Sequence, residues 1–280
     1  IMFRNRRILV TGGAGSIGSE LIRQLCKKNK IFFIDINETG AFDLQEELRQ
    51  KGYWVYSRVG DIRDKETIGD VFDDFKPQII FHAAALKHVS PNEIYPIEAI
   101  KTNVLGLYNI LNEAKKWECM EKFVFISTDK AINSCSIMGA TKRLGEIMVK
   151  NSGKGFVVVR FGNVLGSRGS LISIWQSQVN RNEPITITNE KMERYFMSIE
   201  EACGLVIKAA EIGEGGEIMI LDMGERINIL DLAKKVIAES GRDIPIKTIG
   251  IRSGEKMTEE LMTEEEKRLA IKKDNFWIIK

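Results

Sequence analysis

Asp129 and Lys130 place a carboxylic acid beside an amine, directly after the apolar run Phe123 to Ile126 and the hydroxyls of Ser127 and Thr128. Such a pair can deliver one proton while withdrawing another from a neighbouring atom of a bound molecule. The lysine can act as the base only where burial or nearby positive charge lowers its proton affinity. A solvated loop pair is the bland alternative, but the end of a buried parallel strand favours the chemical reading. Eight residues beyond Lys130 comes Met138-Gly139-Ala140-Thr141-Lys142. Met138 and Lys142 are four apart, so on a helix they share one face. Lys142 adds positive charge. The Met138 thioether cannot titrate, and it reads either as a wall over the ligand or as a core gap-filler.

A second constellation lies near the start, where Thr11-Gly12-Gly13-Ala14-Gly15-Ser16-Ile17-Gly18 follows an apolar strand and opens a helix. Gly12 permits a tight turn, Gly15 lets backbone approach a pyrophosphate, and Gly18 allows close helix–strand packing. Free amides at the helix start, with Ser16 and Ile17 in its first turn, then face the phosphates. Asp35, at the end of the next apolar run, is placed to bond the adenosine ribose and repel a 2′-phosphate, which favours NAD+ over NADP+. A turn or capping carboxylate is the other reading of Asp35. Asp61-Ile62 reads equally as the adenine-edge contact and as the cap of the following helix.

These groups need strand ends and helix starts to hold them. Strands are expected at 8–10, 31–34, 53–57, 78–81 and 122–126, with helices at 16–28, 41–51, 65–75 and 93–117 between them. Strands spaced by helices imply a parallel sheet covered on both faces, because the crossovers return right-handed. The fold class is therefore α/β, a doubly wound parallel sheet with a smaller, discontinuous C-terminal lobe. The expected division is a dinucleotide-binding domain at 1–165, rejoined by about 217–240, and a substrate lobe at 166–280. Within the lobe, 184–188 reads as a strand, and 199–212, 229–240 and 263–271 as helices. Residues 218–222 read as a strand able to rejoin the sheet.

The bulk properties narrow the class. The chain has 280 residues, 44% of them apolar, which suits a globular protein with a substantial core. A net charge of +2, with Lys and Arg dispersed, lacks the basic stripe of a nucleic-acid binder. Cys26, Cys119, Cys135 and Cys203 form no paired spacing, so free thiols in a reducing cytoplasm are expected. His82 and His88 are the only histidines, and no metal site is expected. No apolar run reaches the ~18 residues of a membrane span. The chain begins Ile1-Met2, and Met2 is either a natural start or an internal residue of a longer protein.

Taken in order, Thr11 to Gly18, His82-Ala83-Ala84-Ala85, Thr102-Asn103-Val104, Ser127 to Ala131 and Met138 to Lys142 resemble the extended short-chain dehydrogenases. Leu86-Lys87-His88-Val89, Arg160 to Ser167, Glu193 to Met197 and Gly254-Glu255-Lys256 narrow this resemblance to the UDP-N-acetylglucosamine 4,6-dehydratases. The resemblance implies a Rossmann-like fold and a retained NAD(P)+. It also implies a UDP-N-acetylhexosamine substrate and a homodimer or larger assembly on the cytosolic side. Ala83, Ala84, Lys87, Asn103 and Lys142 become cofactor contacts, and Lys87, Asn163, Arg194 and Glu255 substrate contacts. His88 reads either as part of the site or as a partner of a neighbouring loop. Asp129 becomes the elimination acid and Lys130 the carbon 5 base. Members of the wider dehydrogenase class carry Tyr where this chain has Met138, so the carbon 4 hydroxyl needs another proton acceptor. Asp129, acting through Thr128 or water, is the candidate. A UDP-hexose 4-epimerase on the same scaffold is the rival activity, and a non-catalytic nucleotide sensor is the rival class.

Overall fold

Runs such as Ile8-Leu9-Val10 and Ile79-Ile80-Phe81 carry no polar alternation, as a strand covered on both faces requires. In the computed structural model, which describes residues 3–280, these runs are fully buried strands. The expected alternative starts at Ile1 and Met2 lie outside the described residues. The first half alternates β1 (Arg7–Thr11), α1 (Ser16–Leu25), β2 (Lys30–Asp35), α2 (Glu38–Gln50), β3 (Tyr56–Val59), α3 (Lys65–Phe75) and β4 (Ile79–His82). It continues through α4 (Val89–Ile94), α5 (Pro96–Ile100), α6 (Leu107–Lys116), β5 (Lys122–Thr128), α7 (Ile137–Lys150) and β6 (Phe156–Phe161).

The second half holds short strands β7 (Asn163–Leu165), β8 (Ile185–Ile187), β9 (Glu193–Arg194) and β10 (Phe196–Ser198), with α8 (Leu171–Asn180) among them. It ends with α9 (Ile199–Ile212), β11 (Ile218–Leu221), β12 (Ile227–Asn228), α10 (Ile229–Ser240), β13 (Ile246–Thr248), α11 (Glu264–Leu269), β14 (Ile271–Lys273) and β15 (Phe276–Ile279). One sheet runs in the order β14-β15-β11-β6-β5-β4-β1-β2-β3, parallel from β11 to β3 and antiparallel at β15 and β14. The order reverses between β1 and β4, the switch point where such sheets open a crevice at their carboxyl ends.

Alternate residues of each strand feed opposite cores. Ile8, Val10 and Phe33 join Leu21, Ile22 and Ala202 on one face, while Leu9, Ile34 and Ile80 join Phe72, Leu107 and Phe125 on the other. A third cluster gathers Trp175, Val179, Ile185, Ile187, Met192, Ile229, Ala233 and Ile244.

The structure corrects several expectations. The helix read across 93–117 is broken, because Pro96 lacks an N–H and Tyr95 before it leaves the helical region (φ −121°, ψ 62°). Beyond α5 the chain widens into a π-helical turn at Lys101–Gly106 before α6. The third strand lies at Tyr56–Val59 rather than 53–57. The expected division at 165, with 217–240 returning, also differs from the packing. α9 packs on α1 and helps cover the sheet; β11 enters the sheet, but α10 packs with α8 and β8. The final β14 and β15 belong to the sheet. No helix among the described residues is long and apolar enough to cross a membrane.

Candidate active site

Two strand ends form the floor of the crevice. After β1, Gly12 takes φ +68°, and a side chain there would lie 2.7 Å from the backbone of Ala84. The glycine turn therefore packs directly on Ala83-Ala84 at the end of β4. A Cβ on Gly18 would overlap the Gly12 carbonyl, which already accepts from Gly15 N at 2.9 Å. Helix α1 begins at Gly15 with no side-chain cap, leaving first-turn amides open to an anion. This uncapped, close-packed turn fits a dinucleotide pyrophosphate.

Asp35 reaches across to the same turn. Its Oδ2 accepts from Ala14 N at 2.9 Å and its Oδ1 from Asn37 N at 2.9 Å. Both turn contacts are made, yet each carboxylate oxygen keeps a further lone pair for a ribose hydroxyl. Asp61 does not cap α3; Asp64 does. Asp61 accepts from Arg63 N at 2.9 Å and pairs with the Arg63 guanidinium, which also meets Glu98 at 2.6 Å. The Ile62 side chain is buried against Gly106 of the π-helical turn.

Asn103, expected at the cofactor, is buried, accepts from Leu86 N at 2.8 Å, and donates to Leu86 O and Thr141 Oγ1 at 3.0 Å each. Its amide braces the loop carrying Lys87 against α7. Lys87 Nζ donates to Arg168 O at 2.8 Å, and Arg168 N donates to Ser16 Oγ at 3.0 Å. The loop 166–170 thus ties Lys87 to the start of α1. Gly169 packs against the His88 ring, which makes His88 a partner of that loop. His82 is buried, with Nδ1 2.8 Å from Thr11 Oγ1, and burial drives its pKa down to about 3, so it stays neutral.

The catalytic candidates meet at the end of β5, where Asp129–Ala131 form one turn of 3₁₀-helix. Asp129 is fully buried; its Oδ1 accepts from Thr128 Oγ1 and from Lys130 Nζ, both at 2.9 Å. Its Oδ2 has no hydrogen-bond partner among the described residues. Lys130 Nζ also donates to Asn163 Oδ1 at 3.1 Å. Asn163, expected at the diphosphate, is here the second partner of the lysine. The solvated-loop alternative for the pair fails on burial. Met138 is 2% exposed. Lys142, also buried, donates to Ile126 O at 2.7 Å and sits 4.6 Å over the Phe125 ring. Burial lowers its pKa to about 8 against a smaller opposing effect of Glu146.

Arg194 is buried and donates to Glu193 O at 2.7 Å, Met257 O at 2.9 Å and Lys256 O at 2.7 Å. It clamps the 256–257 segment, and only its remaining N–H groups are free for an anion. Glu255 is half-buried and accepts from Arg252 N at 3.3 Å.

Three features behind the site escaped sequence reading. Gly139 lies against the Lys130 carbonyl with no room for a side chain. Arg160, fully buried, pairs with Glu146 at 2.7 Å and Glu266 at 2.9 Å. Glu146 also accepts from Ser127 Oγ at 2.6 Å, so this network joins β5, α7 and α11 behind the Asp129–Lys130 turn. Glu259 is a further buried carboxyl. Only Glu146 left a readable signal, lying four residues from Lys142 on the same helix face.

Comparison with known proteins gives the following. The profile of the polysaccharide biosynthesis protein family matches residues 8–280. Capsular polysaccharide biosynthesis protein CapD of Staphylococcus aureus is 45% identical over 276 residues, covering 94% of this chain and 46% of CapD. The chain thus spans about half the length of that relative. A UDP-glucose 4-epimerase of Rickettsia bellii is 34% identical over 292 residues, covering 99% of this chain and 84% of that protein. Among solved structures, Pen from Bacillus thuringiensis superposes with a TM-score of 0.94 at 36% identity, covering 100% of this chain and 89% of Pen.

Proposed function

The chain belongs to the polysaccharide biosynthesis protein family, and we propose that it is a UDP-N-acetylglucosamine 4,6-dehydratase with a retained NAD(P)+. The observation that carries this reading is the fully buried Asp129, 2.9 Å from the half-buried Lys130, with its Oδ2 left without a hydrogen-bond partner among the described residues. An acid and a base in contact at a strand end suit a reaction that moves two protons at adjoining carbons. Gly12, Gly15, Gly18 and the open amides of α1 would hold the pyrophosphate, and Asp35 the adenosine ribose, with NAD+ favoured. When bound, NAD(P)+ supplies a hydride acceptor for sugar carbon 4 and a hydride donor for carbon 6.

The side chains then handle protons. Thr128 Oγ1, bonded to Asp129 Oδ1, gives the carbon 4 hydroxyl a path to a carboxylate where Met138 offers none. Once carbon 4 is a ketone, the carbon 5 proton is acidic. Asp129 then holds the proton of the carbon 4 hydroxyl, and Lys130 Nζ, entering the step unprotonated, takes the carbon 5 proton. The electrons of that C–H bond form the carbon 5–carbon 6 double bond. The carbon 6–oxygen bond breaks, and Asp129 gives its proton to the departing oxygen, which leaves as water. Lys130 returns a proton to carbon 5 when hydride is added at carbon 6. Lys142 would orient the nicotinamide ribose and add positive charge. Lys87, the free donors of Arg194, and Glu255 remain the proposed substrate contacts, with Asn163 serving through Lys130.

Lys130→Ala tests this reading. The variant should still reduce bound cofactor with substrate but form no 6-deoxy product, and elimination at the normal rate refutes Lys130 as base. The name of the Rickettsia bellii relative favours a second reading, UDP-hexose 4-epimerase. An epimerase needs no elimination acid and base, and its product keeps the 6-hydroxyl. The exposed apolar side chains of Tyr95 just before α5 and of Ile97, Ile100, Tyr108, Leu144 and Ile147 on α5, α6 and α7 support a homo-oligomer. Light scattering on the eluting protein gives its mass and decides that point.

A further inference from the structure

Ser127 and Arg160 are register partners in the neighbouring strands β5 and β6, and both are buried. Neither has a part in the mechanism above. A guanidinium cut off from water is tolerable only where its five N–H groups are matched. All five are. Arg160 Nε and Nη2 donate to the two oxygens of Glu146 at 2.9 and 2.7 Å. Nη1 and Nη2 donate to the two oxygens of Glu266 at 2.9 and 3.1 Å, and Nη1 also donates to Leu261 O at 2.8 Å. Arg143 adds a bond to each carboxylate, at 2.9 and 3.2 Å, and Thr263 N donates to Glu266 at 3.0 Å. A buried network with its members matched in this way is stiff.

Ser127 plugs the catalytic strand into this network. Its hydroxyl has one proton to give and donates it to Glu146 Oε1 at 2.6 Å, the short contact of a hydroxyl on a carboxylate. The next residue is Thr128, whose hydroxyl holds Asp129. On α7, Glu146 stands one turn beyond Lys142, and Lys142 Nζ donates to the carbonyl of Ile126, the residue before Ser127. Two successive turns of the helix are thus laced to two successive residues of the strand. The Glu146 lacing is gripped from behind, by Arg160 on β6 and, through Arg160, by Glu266 on α11.

We propose that Ser127 is a positioning residue for the oxidation step. Its bond to Glu146 fixes how far Thr128, which takes the proton of the carbon 4 hydroxyl, stands from Lys142, which orients the nicotinamide ribose. Arg160 and Glu266 clamp that carboxylate, so α11 becomes a remote part of the site. Hydride transfer needs sugar and ring in contact, and a misplacement of about 1 Å can cost roughly a hundredfold. Ser127 acts only through its neighbours, by the chain to Thr128 and by Glu146 to α7. The role rests on the reading that a nucleotide sugar is oxidised at carbon 4, which dehydratase and epimerase share. It does not depend on Lys130 as base.

The test is single-turnover reduction of bound cofactor by UDP-N-acetylglucosamine and, for the epimerase alternative, by UDP-glucose. Its rate constant does not depend on what fraction of the protein is folded, so a merely structural loss leaves it unmoved. Ser127→Ala leaves Glu146 its three bonds from Arg143 and Arg160, and the chain should fold. The rate constant at saturating sugar should fall at least about fivefold, and a smaller change overturns the proposal. The half-saturating sugar concentration, and the NAD+ affinity of stripped protein by calorimetry, should each stay within about threefold of wild type. A larger change in either marks general disruption and also overturns it. Glu266→Gln should slow reduction in the same way, and the double variant should be no slower than the slower single one, because both act through one bond. Multiplying losses overturn the clamp; if Glu266→Gln does not fold, Ser127→Ala decides alone. Wild-type protein that reduces no cofactor with either sugar overturns this proposal and the functional reading together. A product that keeps its 6-hydroxyl overturns the dehydratase reading only.

Discussion

Gly139 on helix α7 meets the carbonyl of Lys130 so closely that a methyl group at 139 would overlap both that oxygen and Ser134 Oγ. The helix bearing Met138 and Lys142 and the turn bearing Asp129 and Lys130 are therefore seated on one another through a residue without a side chain. Gly139→Ala must displace one of them, because the obstructing atom is backbone. Turnover should fall at least tenfold, about 1.4 kcal/mol or more of barrier. Bound dinucleotide should persist, since the glycine turn belongs to other elements. Steady-state rates together with cofactor absorbance check this, and normal turnover in the variant contradicts it.

Met138 and Asp129 separate shape from chemistry. If the thioether contributes only shape, Met138→Leu should lose less than about tenfold in single-turnover cofactor reduction. Asp129→Asn should lose about a hundredfold or more, because it removes the elimination acid and the acceptor bonded to Thr128. Folding and cofactor content are to be matched first. Loss of reduction in Met138→Leu with normal reduction in Asp129→Asn would assign the oxidation base elsewhere.

Lys142 makes stability depend on pH. Its pKa is about 8 in the folded chain, against roughly 10.4 in the unfolded chain. Between these values the unfolded state holds more protons, so stability rises with pH across that window. At neutral pH the buried ammonium carries its full cost. Urea unfolding of cofactor-stripped protein should show wild type gaining on Lys142→Met between about pH 8 and pH 9.5. A difference that stays flat over this range would mean that Lys142 is not held as described. The same substitution should impair turnover by removing the charge beside the nicotinamide ribose.

Asp35 bonds Ala14 N and Asn37 N through separate oxygens, which fixes its carboxylate beside the glycine turn. A fixed negative charge there should disfavour a 2′-phosphate. Calorimetry on stripped protein should therefore give tighter binding of NAD+ than of NADP+, and Asp35→Ser should narrow the gap. A wild-type preference for NADP+ would remove Asp35 from this role.

The parts that could be read from sequence are those whose signal is local. The glycine turn, the buried runs of β1 and β4, and the adjacency of Asp129 and Lys130 all lie within a few residues of one another. What escaped depends on distance along the chain. Arg160 meets Glu266 from 106 residues away, so no spacing announces the pair. Glu259 stands beside Glu260, and nothing in that local run tells which of the two carboxyls is buried. The broken helix at Tyr95-Pro96 was readable in principle, since proline carries the signal. The π-helical turn that follows was not, because its reason is tertiary: Asn103 must reach Leu86 and Thr141. Asn103 and Arg194 read from sequence as polar groups able to contact ligands. Their partners are backbone and neighbouring side chains, which a sequence cannot distinguish from ligands.

The central claim, that Asp129 and Lys130 together eliminate water from a nucleotide sugar, is tested most directly by NMR of the product formed from UDP-N-acetylglucosamine in heavy water. The account predicts a 4-keto-6-deoxy sugar with solvent deuterium at carbon 5 and, from substrate labelled at carbon 4, that label transferred to carbon 6. Recovery of a carbon 4 epimer with its 6-hydroxyl intact and no deuterium at carbon 5 would contradict it.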